Sequence, residues 1–224
     1  MRNIFFALLF IFGSISMGFS QELSYGLKAG VNYTMGGQIT GNSSNGIYWD
    51  GTVEGSGQIG YHGGLFLQVN FGKFFLRPEV VYTSIESEFD FPTKPAAYKI
   101  EKFDVPFMIG YNIYGPLDIF AGPIYSNILN STLEGEESDG PIVAQNSPIN
   151  FQAGAKVEFG RFGVDVRYER TLSPAEPQQL DILNSEYGVN RATFDDARLN
   201  QIIVGVIFKL GGPGLNERRR RACY

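Results

Sequence analysis

Apolar and polar residues alternate at every second position along much of the chain. This is the period of a β-strand, because successive side chains point to opposite faces of the pleat. Residues 163–172 put Val164, Val166 and Tyr168 on one parity and Asp165, Arg167 and Glu169 on the other. The pattern predicts eight strands, at residues 23–35, 59–70, 74–86, 98–113, 117–128, 149–159, 162–172 and 199–210.

The connections between these strands alternate in length. Long ones are predicted at 36–58, 87–97, 129–148 and 173–198, and short ones at 71–73, 114–116 and 160–161. Aromatic residues flank every short turn, as in the interfacial girdle of an outer-membrane barrel, whose turns are short at one end only. The sequence therefore predicts an all-β, eight-stranded antiparallel up-and-down transmembrane β-barrel.

The N-terminus predicts export. Arg2, an apolar run and then small residues before Gln21 are typical of a secretory signal peptide, which we place at residues 1–20. The barrel is expected at 21–210 and a basic, disordered tail at 211–224. The formal net charge of −5 argues against a general affinity for nucleic acid. Cys223 is the only cysteine, so no intramolecular disulfide can stabilise the fold. The predicted signal peptide and barrel together make the outer membrane of the cell the expected location.

A soluble lipocalin-like barrel is the alternative fold. Its strands alternate in the same way, but the apolar parity faces inward. Parity alone does not separate the two folds; the signal peptide, the loop asymmetry and the aromatic turns favour the membrane.

Three segments resemble a known family. GYHGGLFLQVNFGKFFLRPEVVYTS (60–84), FDVPFMIGYNI (103–113) and FAGPIYS (120–126) are similar to strands of PorT-like outer-membrane β-barrel domain proteins. The resemblance covers nearly the whole exported chain. It implies a component of a protein secretion assembly as one functional reading.

The polar parity carries charges of both signs. Eight strands enclose a space that side chains fill, so we expect these charges to form a network in the lumen. The expected members are Arg77, Glu79, Asp104, Lys156, Glu158, Asp165, Arg167 and Glu169. The proposed pairs are Arg77 with Glu79, Arg167 with Glu169, and Lys156 with Glu158. A structural role or binding through the loops then follows, with a narrow channel as the alternative.

Catalytic chemistry has little support in the sequence. His62 is the only histidine, and neither a G-x-S-x-G motif nor metal-ligand spacing accompanies it. We expect no enzyme activity and no catalytic, cofactor or metal site. The acidic residues Glu134, Glu136, Glu137 and Asp139 lie in a predicted external loop, where divalent cations could bridge them to lipopolysaccharide. Membrane lipid and lipopolysaccharide are therefore expected partners.

The last predicted strand ends in GVIFKL (205–210). Gly205, Phe208 and Leu210 are similar to the signal by which barrels are handed to the insertion machinery, which is a further expected partner. That signal usually closes a chain, whereas here a tail follows. Its arginines, Arg218 to Arg221, would form a basic patch beside the membrane.

Three prolines fall inside predicted strands. Pro78, Pro106 and Pro123 each remove a backbone donor from a ladder that has no free edge in a closed barrel. We therefore expect a β-bulge at each of them.

Overall fold

The computed structural model describes residues 22–42, 49–136, 142–144, 148–182 and 186–213. The predicted signal peptide and Arg218 to Arg221 lie outside this part of the chain. Thirteen strands form within it: β1 (Glu22–Met35), β2 (Gln38–Gly41), β3 (Thr52–Glu54), β4 (Ser56–Gly57), β5 (Ile59–Phe71), β6 (Phe74–Asp90), β7 (Pro95–Tyr114), β8 (Leu117–Leu133), β9 (Ile149–Phe159), β10 (Phe162–Thr171), β11 (Gln178–Asp181), β12 (Arg191–Asp196) and β13 (Asn200–Gly211).

Eight of these strands close into a barrel. Each pairs with the next along the chain, in the order β1, β5, β6, β7, β8, β9, β10 and β13, and β13 pairs with β1 to close the ring. All these ladders are antiparallel. The predicted eight-stranded antiparallel up-and-down barrel is confirmed. Among the described residues, no helix has the length and apolar character needed to cross a membrane.

One end of the barrel, here called the turn end, is built from three tight turns. Gly72, Gly115 and Gly160 start them with φ of 63°, 56° and 60°. Residues other than glycine rarely adopt this backbone conformation, so glycine allows each hairpin to close in so few residues. The opposite end, the loop end, carries the longer connections.

The outward face of the barrel is apolar. Leu27, Val31, Leu65, Val164 and Val166 are each at least two-fifths exposed, and the charged residues of the other parity are buried. The segment of β5 between Tyr61 and Phe71 has the length needed to cross about 25 Å of hydrocarbon at the usual tilt. A lipocalin-like barrel has the opposite arrangement, so that alternative is wrong.

The loop end contains structure that the sequence analysis missed. Strands β11, β12, β2 and β3 form a second antiparallel sheet in that order, called the cap sheet below. Residues 87–97, predicted as a long loop, lie mostly in β6 and β7, which continue as a paired hairpin to Asp90 and Pro95. The prediction of a long loop there is wrong, because apolar residues in this hairpin pack against the cap sheet. The cap sheet, its connections and the end of the β6–β7 hairpin that packs against them are together called the cap.

The three strand prolines are accommodated without bulges. No register shift occurs at Pro78, Pro106 or Pro123, so the bulge prediction is wrong. Each proline instead interrupts the ladder on one side. Pairing skips from Phe66–Glu79 to Val69–Leu76 beside Pro78, and resumes in the same register. A missing N–H therefore costs one local gap in pairing, and the strand keeps its course.

Candidate functional site

The lumen holds a central cluster of ion pairs in which Glu79 is the hub. Its carboxylate lies 3.1 Å from the ammonium of Lys28, 2.9 Å from Nε of Arg77 and 2.9 Å from each terminal nitrogen of Arg167. Arg167 also donates from Nε to Asp165 at 3.0 Å. Every member is almost fully buried. Since an unpaired charge there would cost several kcal/mol, the carboxylate and its cations stabilise one another.

A second cluster lies toward the loop end. The ammonium of Lys102 contacts the carboxylate of Glu169 and lies 3.3 Å from that of Asp104. Glu169 also accepts hydrogen bonds from the side-chain amides of Gln152 and Gln201, each at 2.8 Å. Gln152 in turn accepts from Arg167 at 3.3 Å, which links this cluster to the central one.

A third cluster lies toward the turn end. Lys156 lies 3.1 Å from Asp118 and 2.9 Å from Glu158, and Lys209 lies 2.7 Å from Glu158. Arg77 approaches Glu158 at 3.8 Å and connects this cluster to the central one. The charged groups thus follow one another along the barrel axis.

Buried charges of the two signs balance in the part of the lumen that the structure describes. Five basic and five acidic residues are buried there: Lys28, Arg77, Lys102, Lys156 and Arg167, with Glu79, Asp104, Asp118, Asp165 and Glu169. The predicted network contained only three cations and did not include Lys28, Lys102, Lys209 or Asp118. Lys28 and Lys209 already lie on the polar parity that the strand pattern indicates, and Lys102 and Asp118 follow from the same period in β7 and β8.

Two of the three proposed pairs form. Arg77 lies beside Glu79 and Lys156 beside Glu158. Glu169 is paired with Lys102 rather than with Arg167, which reaches across the lumen to Glu79. Residues two apart on a strand point the same way, but a long guanidinium finds a better partner on the opposite wall.

His62 also faces the lumen, and its exposure is only 4%. Neither ring nitrogen has a hydrogen-bond partner among the described residues. The same residues contain no group of three or more histidine, cysteine, aspartate or glutamate side chains that could hold a metal ion. Within the described ranges, therefore, no serine, threonine or cysteine side chain is hydrogen-bonded to His62.

The polarity of the two faces reverses toward the tip of the β6–β7 hairpin. On β6, Val80 and Tyr82 face outward in the barrel. Nearer the tip of the hairpin, the same face of the strand carries Glu86 and Glu88. On the inward face, the charged residues of the barrel are replaced by the apolar residues Ile85 and Phe89, and both are buried. Tyr82 contacts the ring of Phe103, with centroids 5.5 Å apart, where the change occurs. The reversal marks where the hairpin leaves an apolar surrounding for water.

A hydrophobic core closes the loop end above the ion pairs. Phe194 of the cap sheet packs edge-on against Phe89 and Tyr98 of the barrel hairpin, with centroids 5.6 Å and 4.9 Å apart. Other buried members come from the cap sheet and its connections: Ile39, Leu180, Ile182, Tyr187, Val189, Ala192 and Leu199. The barrel interior is rich in ion pairs, with one buried apolar cluster of Phe75, Met108, Phe120 and Ile124, whereas the cap interior is apolar. Strands β6 and β7 contribute to both interiors.

Polar contacts at the surface of the cap join its segments to one another. Lys94, at the tip of the β6–β7 hairpin, lies 2.6 Å from Glu186, and this hydrogen bond raises the pKa of Lys94. Arg198 donates to Asp196 at 2.6 Å and to the carbonyl of Ser173 at 2.7 Å. Partial burial would raise the pKa of Asp196, but the hydrogen bonds from Arg198 outweigh it and hold that pKa below its usual range.

The remaining predicted residues take these positions. Gly205 faces the lumen beside Asp165, while Phe208, whose ring centroid lies 5.2 Å from that of Phe162, and Leu210 lie at the turn end of β13. Of the acidic loop, Glu134 and Glu136 are described, and Glu137 and Asp139 lie outside the described residues.

A family model described as outer membrane protein beta-barrel domain matches residues 19–175, more than half of the chain. No curated protein matches the chain.

Proposed function

Because the chain belongs to the outer membrane protein beta-barrel domain family, we propose that it is an integral outer-membrane barrel that passes no solute and uses its cap as a binding surface in the cell envelope. The observation that carries this proposal is the double closure of the lumen. Ion pairs and the apolar side chains packed among them fill the barrel interior, and a hydrophobic core lies across its loop end.

The closure argues against the narrow channel. A solute moving along the axis would have to separate Glu79 from Arg167 and Lys102 from Glu169, and then cross the packed rings of the cap. Separating a buried pair leaves an unpaired charge, at a cost of about 3–5 kcal/mol. Thermal motion does not supply this repeatedly along a whole lumen, so the barrel serves as an anchor.

The cap supports the binding role. Its strands are paired and packed, and they present polar side chains outward, such as Thr40 hydrogen-bonded to Asp195 at 2.6 Å. A surface that is already ordered loses little entropy on binding. Expected partners are lipopolysaccharide at the loop end, membrane lipid around the apolar band, and the insertion machinery through Gly205, Phe208 and Leu210; nucleic acid is not among them.

Planar-bilayer recording tests the closed lumen. The purified full-length barrel should add no conductance steps above the bare bilayer, whereas a general porin reconstituted in parallel should give steps. Discrete openings that scale with the amount of barrel would contradict the proposal and favour the narrow channel.

The resemblance to PorT-like proteins gives a second candidate, a component of a secretion assembly. One feature favours it: β3 is an edge of the cap sheet, paired with β2 on one side. An edge of this kind can accept an extended segment of another protein as an added strand. Pull-down from envelope extracts, with Val53→Pro in β3 as the comparison, tests it. Capture of the same proteins by both variants would contradict an edge-dependent assembly.

A further inference from the structure

The outward surface of the barrel is interrupted by a groove of about 420 Å³ across β7, β8 and β9. Its lining is almost entirely apolar: Phe74, Ile109, Gly110, Tyr111, Ile119, Phe120, Ala121, Ala153 and Gly154. The groove lies in the half of the barrel nearer the turn end. It therefore lies within the apolar band, and toward the leaflet that the short turns face.

Small residues create the groove. Ala121 pairs with Ala153 on the next strand and with Ile109 on the strand before. Two adjacent alanines thus lie beside the larger side chains of Ile109 and Ile119 on the same face. The β7–β8 ladder is also interrupted next to this point, between the Pro106–Ile124 and Ile109–Ala121 pairs. An extended acyl chain is apolar and narrow, so it suits a shallow apolar groove of this kind.

A cation lies near the turn end of the groove, beside the lining residue Tyr111. The ammonium of Lys73 is 6.0 Å from the centre of the Tyr111 ring, which lines the groove. Lys73 is exposed, and no ion pair forms on it within the described part of the chain. The ring of Phe74, the next residue, packs edge-on against Tyr111 at 5.0 Å. The groove thus combines an apolar floor with one positive charge near its turn end, the end of such barrels that lies at a membrane–water interface.

We propose that this groove binds one glycerophospholipid of the leaflet at the turn end, with an acyl chain over Ala121 and Ala153 and the phosphate at Lys73. The inference rests on the membrane location proposed above. It goes beyond that location, because ordinary lipid contact would be uniform around the band and would need no particular lysine.

Native mass spectrometry of the full-length barrel, delipidated in detergent and titrated with a palmitoyl-oleoyl phosphatidylglycerol, tests the site. We expect one lipid to be retained by the unchanged chain. Ala121→Phe should fill the groove and abolish retention, while Ala29→Phe, the same enlargement on the outward face of β1, should leave it unchanged. Lys73→Gln should weaken binding about fivefold, the effect of one charge near a headgroup.

Two matched comparisons separate the charge from the groove. Arg161 also follows a glycine in a tight turn at this end, so Arg161→Gln is the control for Lys73→Gln. A diacylglycerol with the same acyl chains, which lacks the phosphate, should bind the unchanged chain and Lys73→Gln equally.

Equal losses for the Lys73 and Arg161 variants, or retention of lipid by Ala121→Phe, would overturn the proposal. So would preference for lipid A over phosphatidylglycerol, or a second copy of the chain in place of lipid. Heat-modifiable mobility of each variant shows that it has folded. Absence of the chain from the outer membrane would overturn the proposed function instead, whatever the purified barrel binds.

Discussion

The barrel lumen and the cap are built in opposite ways from one chain. In the barrel, Arg167, Glu79 and their partners lie in the interior, and Val166 and the other residues of the same parity form the surface. In the cap, Phe194 and Ile39 form the interior, and Thr40 and Asp195 lie at the surface. Each region places apolar groups where water is absent. The comparison shows that the surrounding medium decides what a strand buries.

The β6–β7 hairpin makes this comparison within single strands. Below Tyr82 and Phe103 the outward face is apolar, and above them it carries Glu86, Glu88 and other polar groups. The change takes place without any break in pairing between the two strands. The β6–β7 ladder therefore runs through the boundary unchanged, although β7 shifts register against β8 between Glu101 and Lys102 at this level.

The largest expected effect is at the hub of the lumen. Glu79→Gln keeps the shape of the side chain but leaves Lys28, Arg77 and Arg167 with one carboxylate fewer. We expect a loss of about 3–5 kcal/mol in the free energy of unfolding. The urea concentration at which the unboiled gel band shifts measures it.

The exposed Glu54→Gln of the cap sheet is the control for Glu79→Gln and should have no effect. A double variant, Glu79→Gln with Lys28→Met, should recover part of the loss because it restores the balance of charge. Equal stability of Glu79→Gln and the unchanged chain would contradict the compensated lumen.

Next in size is the apolar interior of the cap. Phe194→Ala removes a buried ring that contacts Phe89 and Tyr98, and should cost the cap about 3 kcal/mol. We expect faster proteolysis at the loop end and an unchanged gel shift of the barrel. Phe162→Ala, an exposed ring at the turn end, is the matched control. Loss of the gel shift with Phe194→Ala would show that the two regions do not differ as described.

The outward surfaces of the barrel and of the cap sheet should differ in how much one added charge costs. Val166→Arg on the outward face of β10 would bring a cation into hydrocarbon, at a cost of about 2 kcal/mol. Thr193→Arg in the cap sheet faces water and should cost less than about 0.5 kcal/mol. Urea titration of the gel shift for the first and proteolysis for the second measure the contrast, and equal costs would remove it.

The smallest expected effect is at Asp196. Its pKa is lower in the folded cap than in an unfolded chain, so the stabilisation is present above the unfolded value near 4 and is lost as pH falls through the folded value. The pair is partly exposed, so about 0.5 kcal/mol is expected. Proteolysis of the cap against pH measures it, and Asp196→Asn should flatten the acid side of the curve. An unaltered curve would assign the acid sensitivity to other groups.

Strand period predicted the barrel well because a barrel wall separates two media for most of its height. All eight ring strands, and the bounds 149–159 of β9, follow from parity and glycine turns. Inward charges such as Asp165 and Arg167 follow from the same rule. Which inward groups meet was less predictable, because Arg167 reaches Glu79 across the lumen and that distance depends on closure.

The cap was missed for a physical reason as well. Its strands are short, four residues for β2 and four for β11, and they are far apart in sequence, so no local period reveals their pairing. The hairpin gave a signal that could have been used: apolar residues move from even positions at Val80 and Tyr82 to odd positions at Ile85 and Phe89. A change of parity within a strand predicts a change of medium.

Heat-modifiable gel mobility of the chain in separated envelope fractions tests the central claim most directly. A closed barrel with charge inside and apolar groups outside should be found in the outer membrane, and its unboiled band should migrate differently from the boiled one. A soluble periplasmic protein with the same mobility before and after boiling would contradict the account.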